Sequence, residues 1–119
     1  MKAYVTGRLK AFLYVFRGMA WMLRHEASIQ VQALLMIISA GLCWYLQFAP
    51  WEWMVFVFIW GFIFTAETLN TAIEKLSDVV SPGYDERIRD VKDISAGAVG
   101  WAALTGLIAY FLLILIHFK

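Results

Sequence analysis

Apolar residues run through three stretches of the chain, at positions 31–49, 53–76 and 94–118. The first and third hold no charge, and the second is interrupted near its end by Glu67, Glu74 and Lys75. Each is close to the ~20 residues a helix needs to cross a bilayer core. A backbone in lipid must bond within itself, so such stretches are helices or strands of a closed barrel. Barrel strands alternate and are about half as long, so the unbroken pattern predicts three membrane-spanning helices. A different pattern precedes them at 8–24. Lys10, Arg17 and Arg24 recur every seven residues, while Phe12, Leu13, Phe16, Met19 and Leu23 supply apolar surface. That spacing predicts an amphipathic helix lying on the membrane surface. A plain cationic anchor for the first span is the simpler alternative.

The expectation is one domain over 1–119, an all-α integral membrane protein. Phe48-Ala49-Pro50-Trp51-Glu52-Trp53 reads as a short connection broken by Pro50 with interfacial aromatics. The region from 75 to 93 reads as a longer, charged connection with a turn at Ser81-Pro82-Gly83. Nine of the ten Lys and Arg residues, Lys2 among them, fall before the first span or in this second connection. That asymmetry predicts a cytoplasmic N-terminus.

Composition narrows the function. The chain is 62% hydrophobic and 16% charged with a net charge of +1, so it carries no basic excess for nucleic acid. Its one cysteine, Cys43, lies in an apolar run and reads as a small packed or lipid-facing residue. His25 and His117 lack metal-ligand spacing and read as interfacial side chains. No phosphate-binding glycine loop of the familiar kinds is present.

The polar residues inside the second span are the informative ones. At 100° per residue, Glu67, Asn70, Glu74 and Asp78 share one narrow helix stripe. Glu67 lies about 21 Å beyond Trp53 along a helix, within a core about 30 Å thick, and Glu74 lies two turns further, at the water boundary. A carboxylate at such depth costs at least a few kcal/mol when charged and faces a protein interior or wet cavity. Glu67 is therefore a candidate proton acceptor; the alternative is a protonated residue joining helices through a hydrogen bond. By the same topology Glu26, Lys92 and Asp93 reach the boundary where Glu74 emerges. Carboxylates with a lysine suit Mg²⁺ and polyphosphate, since Mg²⁺ takes hard oxygen ligands and lysine offers phosphate a point charge.

The run Glu67-Thr-Leu-Asn70-Thr-Ala-Ile-Glu74, then Asp78, then Val91-Lys92-Asp93-Ile-Ser-Ala96-Gly-Ala-Val99, resembles the prokaryotic diacylglycerol kinase family, which includes the undecaprenol kinases. Glu26 after the stretch with Tyr14, Phe16-Arg17-Gly18 and Trp21 is similar to the family's N-terminal region. The resemblance implies a homotrimer in the bacterial cytoplasmic membrane that moves a phosphoryl group from ATP to diacylglycerol or undecaprenol. It implies Glu67 as general base, Glu26 and Glu74 as ligands of Mg²⁺, and Asn70, Asp78, Lys92 and Asp93 at the nucleotide phosphates. Tyr14, Tyr84 and Asp85 fall at nucleotide-side positions, Asp85 standing where many members carry histidine. Three helices are also too thin to enclose a site, and Ala98, Ala102, Gly106 and Ala109 form a small-residue stripe that permits close helix contact. A proton-coupled multidrug exporter or a non-catalytic membrane scaffold are the rival readings.

Overall fold

The computed structural model describes the backbone of all 119 residues and every side chain except those of residues 2–5 and 9, so Lys2 lies outside the described side chains. The chain forms four helices, α1 Lys2–His25, α2 Ala27–Tyr45, α3 Pro50–Val80 and α4 Glu86–His117. The last three are long and apolar enough to cross a membrane. The fold is thus all-α, with three spanning helices after an N-terminal helix.

Residues 1–34 form one compact unit, containing α1 and the first turns of α2. Phe12, Leu13, Tyr14, Val15, Phe16 and Met19 are exposed on α1, apolar surface of the kind an interfacial helix buries in lipid. Glu26 breaks the chain between the two helices. Its backbone is extended, its N–H closes α1 on Met22 O, and its carbonyl accepts the first bond of α2 from Gln30 N.

Residues 35–119 form the second unit. Here α3 and α4 pack antiparallel along most of their length. Going up α3 and down α4, Glu52 meets His117, Ile59 and Ile63 meet Gly106, Asn70 meets Ser95, and Asp78 meets Lys92. Gly106 permits the close approach. A Cβ there would stand 3.0 Å from Ile63 Cδ1 and 3.1 Å from Ile59 Cγ2. Of the small-residue stripe, Ala102 and Gly106 are buried while Ala98 is exposed. The stripe's centre therefore serves packing within the chain. The apolar core gathers at the Pro50 end, where Cys43, Phe48, Phe56 and Leu113 are buried together. Cys43 Sγ lies 3.4 Å from the Tyr110 hydroxyl. An aromatic file, Trp53, Phe56, Trp60 and Phe64, continues up α3 at helical spacing.

Both connections are shorter than the apolar pattern alone suggests. Pro50 starts α3 instead of sitting in a loop, because its missing N–H is one of the donors a first turn leaves unpaired anyway. Glu52 completes that start by accepting the Ala49 N–H at 2.6 Å. At the other end α3 runs to Val80 and α4 begins at Glu86, leaving only residues 81–85 outside helix. Asp85 caps α4, its Oδ1 accepting the Arg87 N–H at 2.9 Å. Thirty-one residues of α3 measure about 46 Å, more than a bilayer core of about 30 Å. The helix therefore extends well into water, and Glu74, Asp78, Lys92 and Asp93 stand on rigid helix instead of a loop.

Candidate active site

The polar stripe of α3 grades from buried to exposed. Glu67 and Asn70 are buried, at 7% and 9% exposure, whereas Glu74 and Asp78 are exposed. Measured from Pro50 at one edge of a bilayer core, Glu67 lies about 26 Å along and Glu74 about 36 Å along. For an upright helix starting at that edge, a core about 30 Å thick would end between Glu67 and Glu74.

Side-chain bonds join part of the predicted set. Asn70 Nδ2 donates to Glu74 Oε1 at 3.1 Å, one turn along α3. Asn70 Oδ1 accepts from the hydroxyl of Ser95, a buried residue on α4. One turn further out, Lys92 Nζ donates to Asp78 Oδ1 at 2.5 Å across the same helix pair. Asn70, Glu74, Asp78 and Lys92 are therefore brought together along one seam. Asp93 follows Lys92 on α4 and is exposed.

Tyr84 and Asp85 occupy the connecting loop. The Tyr84 hydroxyl accepts from Arg89 Nη1 at 3.2 Å. The Asp85 carboxylate receives the Arg87 backbone N–H and its guanidinium, with Nη2 at 2.9 Å from Oδ2. The Arg87 guanidinium foremost, with the capped N–H, holds the Asp85 carboxyl below the usual carboxylate range. Tyr14 and Glu26 belong to the first unit. Tyr14 is exposed on α1, and Glu26 is half-buried at the break that starts α2.

Among the described residues no group of three or more His, Cys, Asp or Glu side chains could hold a metal by itself. Mg²⁺ ordinarily takes one or two carboxylates and completes its shell with water and substrate phosphates. Glu74 presents an exposed carboxylate at the outer end of the seam.

Two residues escape the sequence patterns. Ser95 sits inside the Lys92-Asp93 motif, yet a serine in an apolar helix ordinarily bonds back to its own turn. Its signal is a small hydroxyl three residues after Lys92, on the face turned to α3. The buried Glu52 and the half-buried His117 form a second pair at the opposite end, with Oε1 2.9 Å from Nδ1. Glu52 is legible as a carboxylate three residues after Ala49, where it can accept the Ala49 N–H. His117 has no local signal, since its partner is 65 positions away. Its ring packs against Phe48 with centroids 4.9 Å apart and planes tilted by 36°. A recess of about 580 Å³ lined by Trp44, Tyr45, Gln47, Phe48 and Trp53 lies at this end, away from the polar seam.

Comparison with known proteins identifies the family. The family profile described as prokaryotic diacylglycerol kinase matches residues 13–115. The undecaprenol kinase of Bacillus subtilis (strain 168) is 32% identical over 91 residues, covering 76% of this chain and 73% of its own. The matched region takes in Tyr14, Glu26, the whole α3 stripe and the Lys92-Asp93 motif. The chain belongs to the prokaryotic diacylglycerol kinase family and is a multi-pass membrane lipid kinase.

Proposed function

We propose that this chain uses ATP and Mg²⁺ to phosphorylate the primary hydroxyl of a membrane lipid alcohol, with Glu67 as general base. The observation that carries the reading is the gradient on α3: a buried Glu67, a buried Asn70 bonded to Glu74, and an exposed Glu74. A lipid hydroxyl is confined near the bilayer surface and a nucleotide to water, so a site joining them has to cross that boundary. Glu67 accepts the hydroxyl proton on the lipid side. The lipid oxygen then bonds to the terminal phosphorus as the bond from that phosphorus to ADP breaks. Such transfer is mostly positioning and charge neutralisation.

Glu26 and Glu74 are the residues that would hold Mg²⁺, which supplies neutralisation of phosphate charge when bound. Asn70 and Lys92 orient this end, with Asp78 holding the Lys92 ammonium and Asp93 beside it. Tyr14, Tyr84 and Asp85 lie on the nucleotide side. The assembly is a homotrimer in the bacterial cytoplasmic membrane with the N-terminus cytoplasmic, as the asymmetry of Lys and Arg supports.

The acceptor is diacylglycerol or undecaprenol. The name of the Bacillus relative favours undecaprenol. Transfer of labelled phosphate from ATP to each lipid in mixed micelles tests the proposal. Label in undecaprenyl phosphate is the expected result. Label in phosphatidic acid alone would reverse the choice of acceptor, and label in neither lipid would overturn the reaction.

A further inference from the structure

Hydroxyl side chains inside spanning helices have a default partner, the carbonyl three or four residues back. Ser39 bonds Met36 O, Thr65 bonds Gly61 O and Thr68 bonds Phe64 O in this way. Ser95 does something else. Its hydroxyl crosses from α4 to α3 and donates to the buried side-chain oxygen of Asn70. Its direction follows from the other end of the chain of bonds. An ionised Glu74 only accepts, so Asn70 must present its NH₂ to Glu74 and its oxygen to Ser95. Ser95 must then be the donor. Three side chains on two helices share one direction of bonding, and it ends on a carboxylate at the water boundary.

We propose that Ser95 is a positioning residue that fixes the orientation of the Asn70 amide and, through it, aims the Glu74 carboxylate. This rests on the proposed role of Glu74 as a ligand of Mg²⁺. Without the Ser95 hydroxyl the Asn70 oxygen is buried with its donor removed, a state that costs about as much as a lost hydrogen bond or more. Rotation of the amide would relieve that only by turning its oxygen towards the Glu74 carboxylate, where two acceptors repel. Either outcome loosens Glu74. The Asn70 amide bonds to Glu74, so the expected defect is in metal use.

The test is a Mg²⁺ titration of lipid phosphorylation by the full chain in mixed micelles, for the parent, Ser95→Ala, Ser95→Thr, Asn70→Ala and the Ser95→Ala/Asn70→Ala double variant. Ser95→Ala is expected to raise the half-saturating Mg²⁺ by about five- to tenfold, with the rate at saturating Mg²⁺ near the parent's. Ser95→Thr keeps a hydroxyl on the same carbon and should restore most of the parent's half-saturation. In the Asn70→Ala background, Ser95→Ala should change nothing further, because Ser95 acts through Asn70. Thermal unfolding of each variant checks that the fold is intact. A parent-like Mg²⁺ curve for Ser95→Ala overturns the proposal, and so does an equal additional loss in the Asn70→Ala background. Glu74→Gln is run beside them. If Glu74→Gln is impaired at low Mg²⁺ while Ser95→Ala is not, only the Ser95 role fails; if Glu74→Gln is fully active at low Mg²⁺, the metal reading itself fails.

Discussion

The α3–α4 pair carries polar side chains at both ends, and the two ends use them differently. At the Pro50 end Glu52 is 3% exposed, accepts the Ala49 N–H through one oxygen and contacts His117 through the other. Aromatic rings close around it, with Phe48 on His117 and Trp53 against Phe48. At the Val80 end Glu67 is nearly as buried, at 7%, but the stripe it begins continues through Asn70 to the exposed Glu74 and Asp78. Burial of a carboxylate near a membrane therefore does not by itself mark chemistry. A closed pair is a cap and a clasp. A polar file that opens to water can carry a proton acceptor on the lipid side and a phosphate site on the other.

The largest expected effect contrasts the two acids directly. Glu67→Gln keeps the shape of the side chain but cannot take the hydroxyl proton, and a positioned general base is worth about 10²–10⁴-fold. Transfer should fall by that factor while ATP still binds. A neutral amide is also easier to bury than a carboxylate, so assembly should be at least as good as the parent's. Glu52→Gln should retain transfer, because glutamine can still accept from the Ala49 N–H and hydrogen-bond to the His117 ring. The assay is initial rate with unfolding temperature measured alongside. An active Glu67→Gln protein would leave Glu67 as a hydrogen-bonding link between helices, the same kind of residue as Glu52.

A smaller effect is expected midway between the ends. Gly106→Val places a branched side chain where even a Cβ meets Ile63 and Ile59 at 3.0 and 3.1 Å. Overpacking of this kind costs about 1–3 kcal/mol. Thermal stability should drop, and activity should drop with it, since α3 and α4 present Asn70 and Ser95 to one another. Loss of stability with undiminished activity would show that the seam at the Val80 end holds its geometry without the middle of the pair.

Much of this is legible in the sequence, and the reasons are physical. The apolar stretches fix the spans because lipid permits little else, and the stripe from Glu67 to Asp78 is a matter of helical spacing. The connection from 75 to 93 reads too long in the sequence because its charge suggests a loop. Charged residues are equally compatible with helices that project into water, and the Asp85 cap decides for helix. The pairs Asn70–Ser95, Asp78–Lys92 and Glu52–His117 depend on the antiparallel register of α3 and α4. Spacing along one helix cannot supply that register. The stripe of small residues predicts a close helix contact, and at its centre Gly106 makes one with α3 beside the buried Ala102.

The smallest expected effect lies in the loop that closes the open end. Asp85 holds the start of α4 through the Arg87 N–H and pairs with the Arg87 guanidinium, which lowers its pKa from the ordinary value. A carboxyl whose folded value is depressed binds fewer protons folded than unfolded. Its stabilising contribution is therefore present above the unfolded value, about 4, and is lost as the pH falls through the lower folded value. An Asp85→Asn variant would still cap the helix, since asparagine caps about as well as aspartate, so the substitution isolates the charge. The parent should unfold at a slightly higher temperature than Asp85→Asn at pH 7. The gap should hold at pH 5, narrow below about pH 4, and shrink at high salt because the pair is solvent-facing. A gap of the same size at pH 7 and pH 3 would assign the difference to the cap and leave the ion pair without effect. The outcome bears on both ends of the helix pair: Glu52 caps α3 inside an aromatic enclosure, and Asp85 caps α4 in water, where the same kind of bond is worth less.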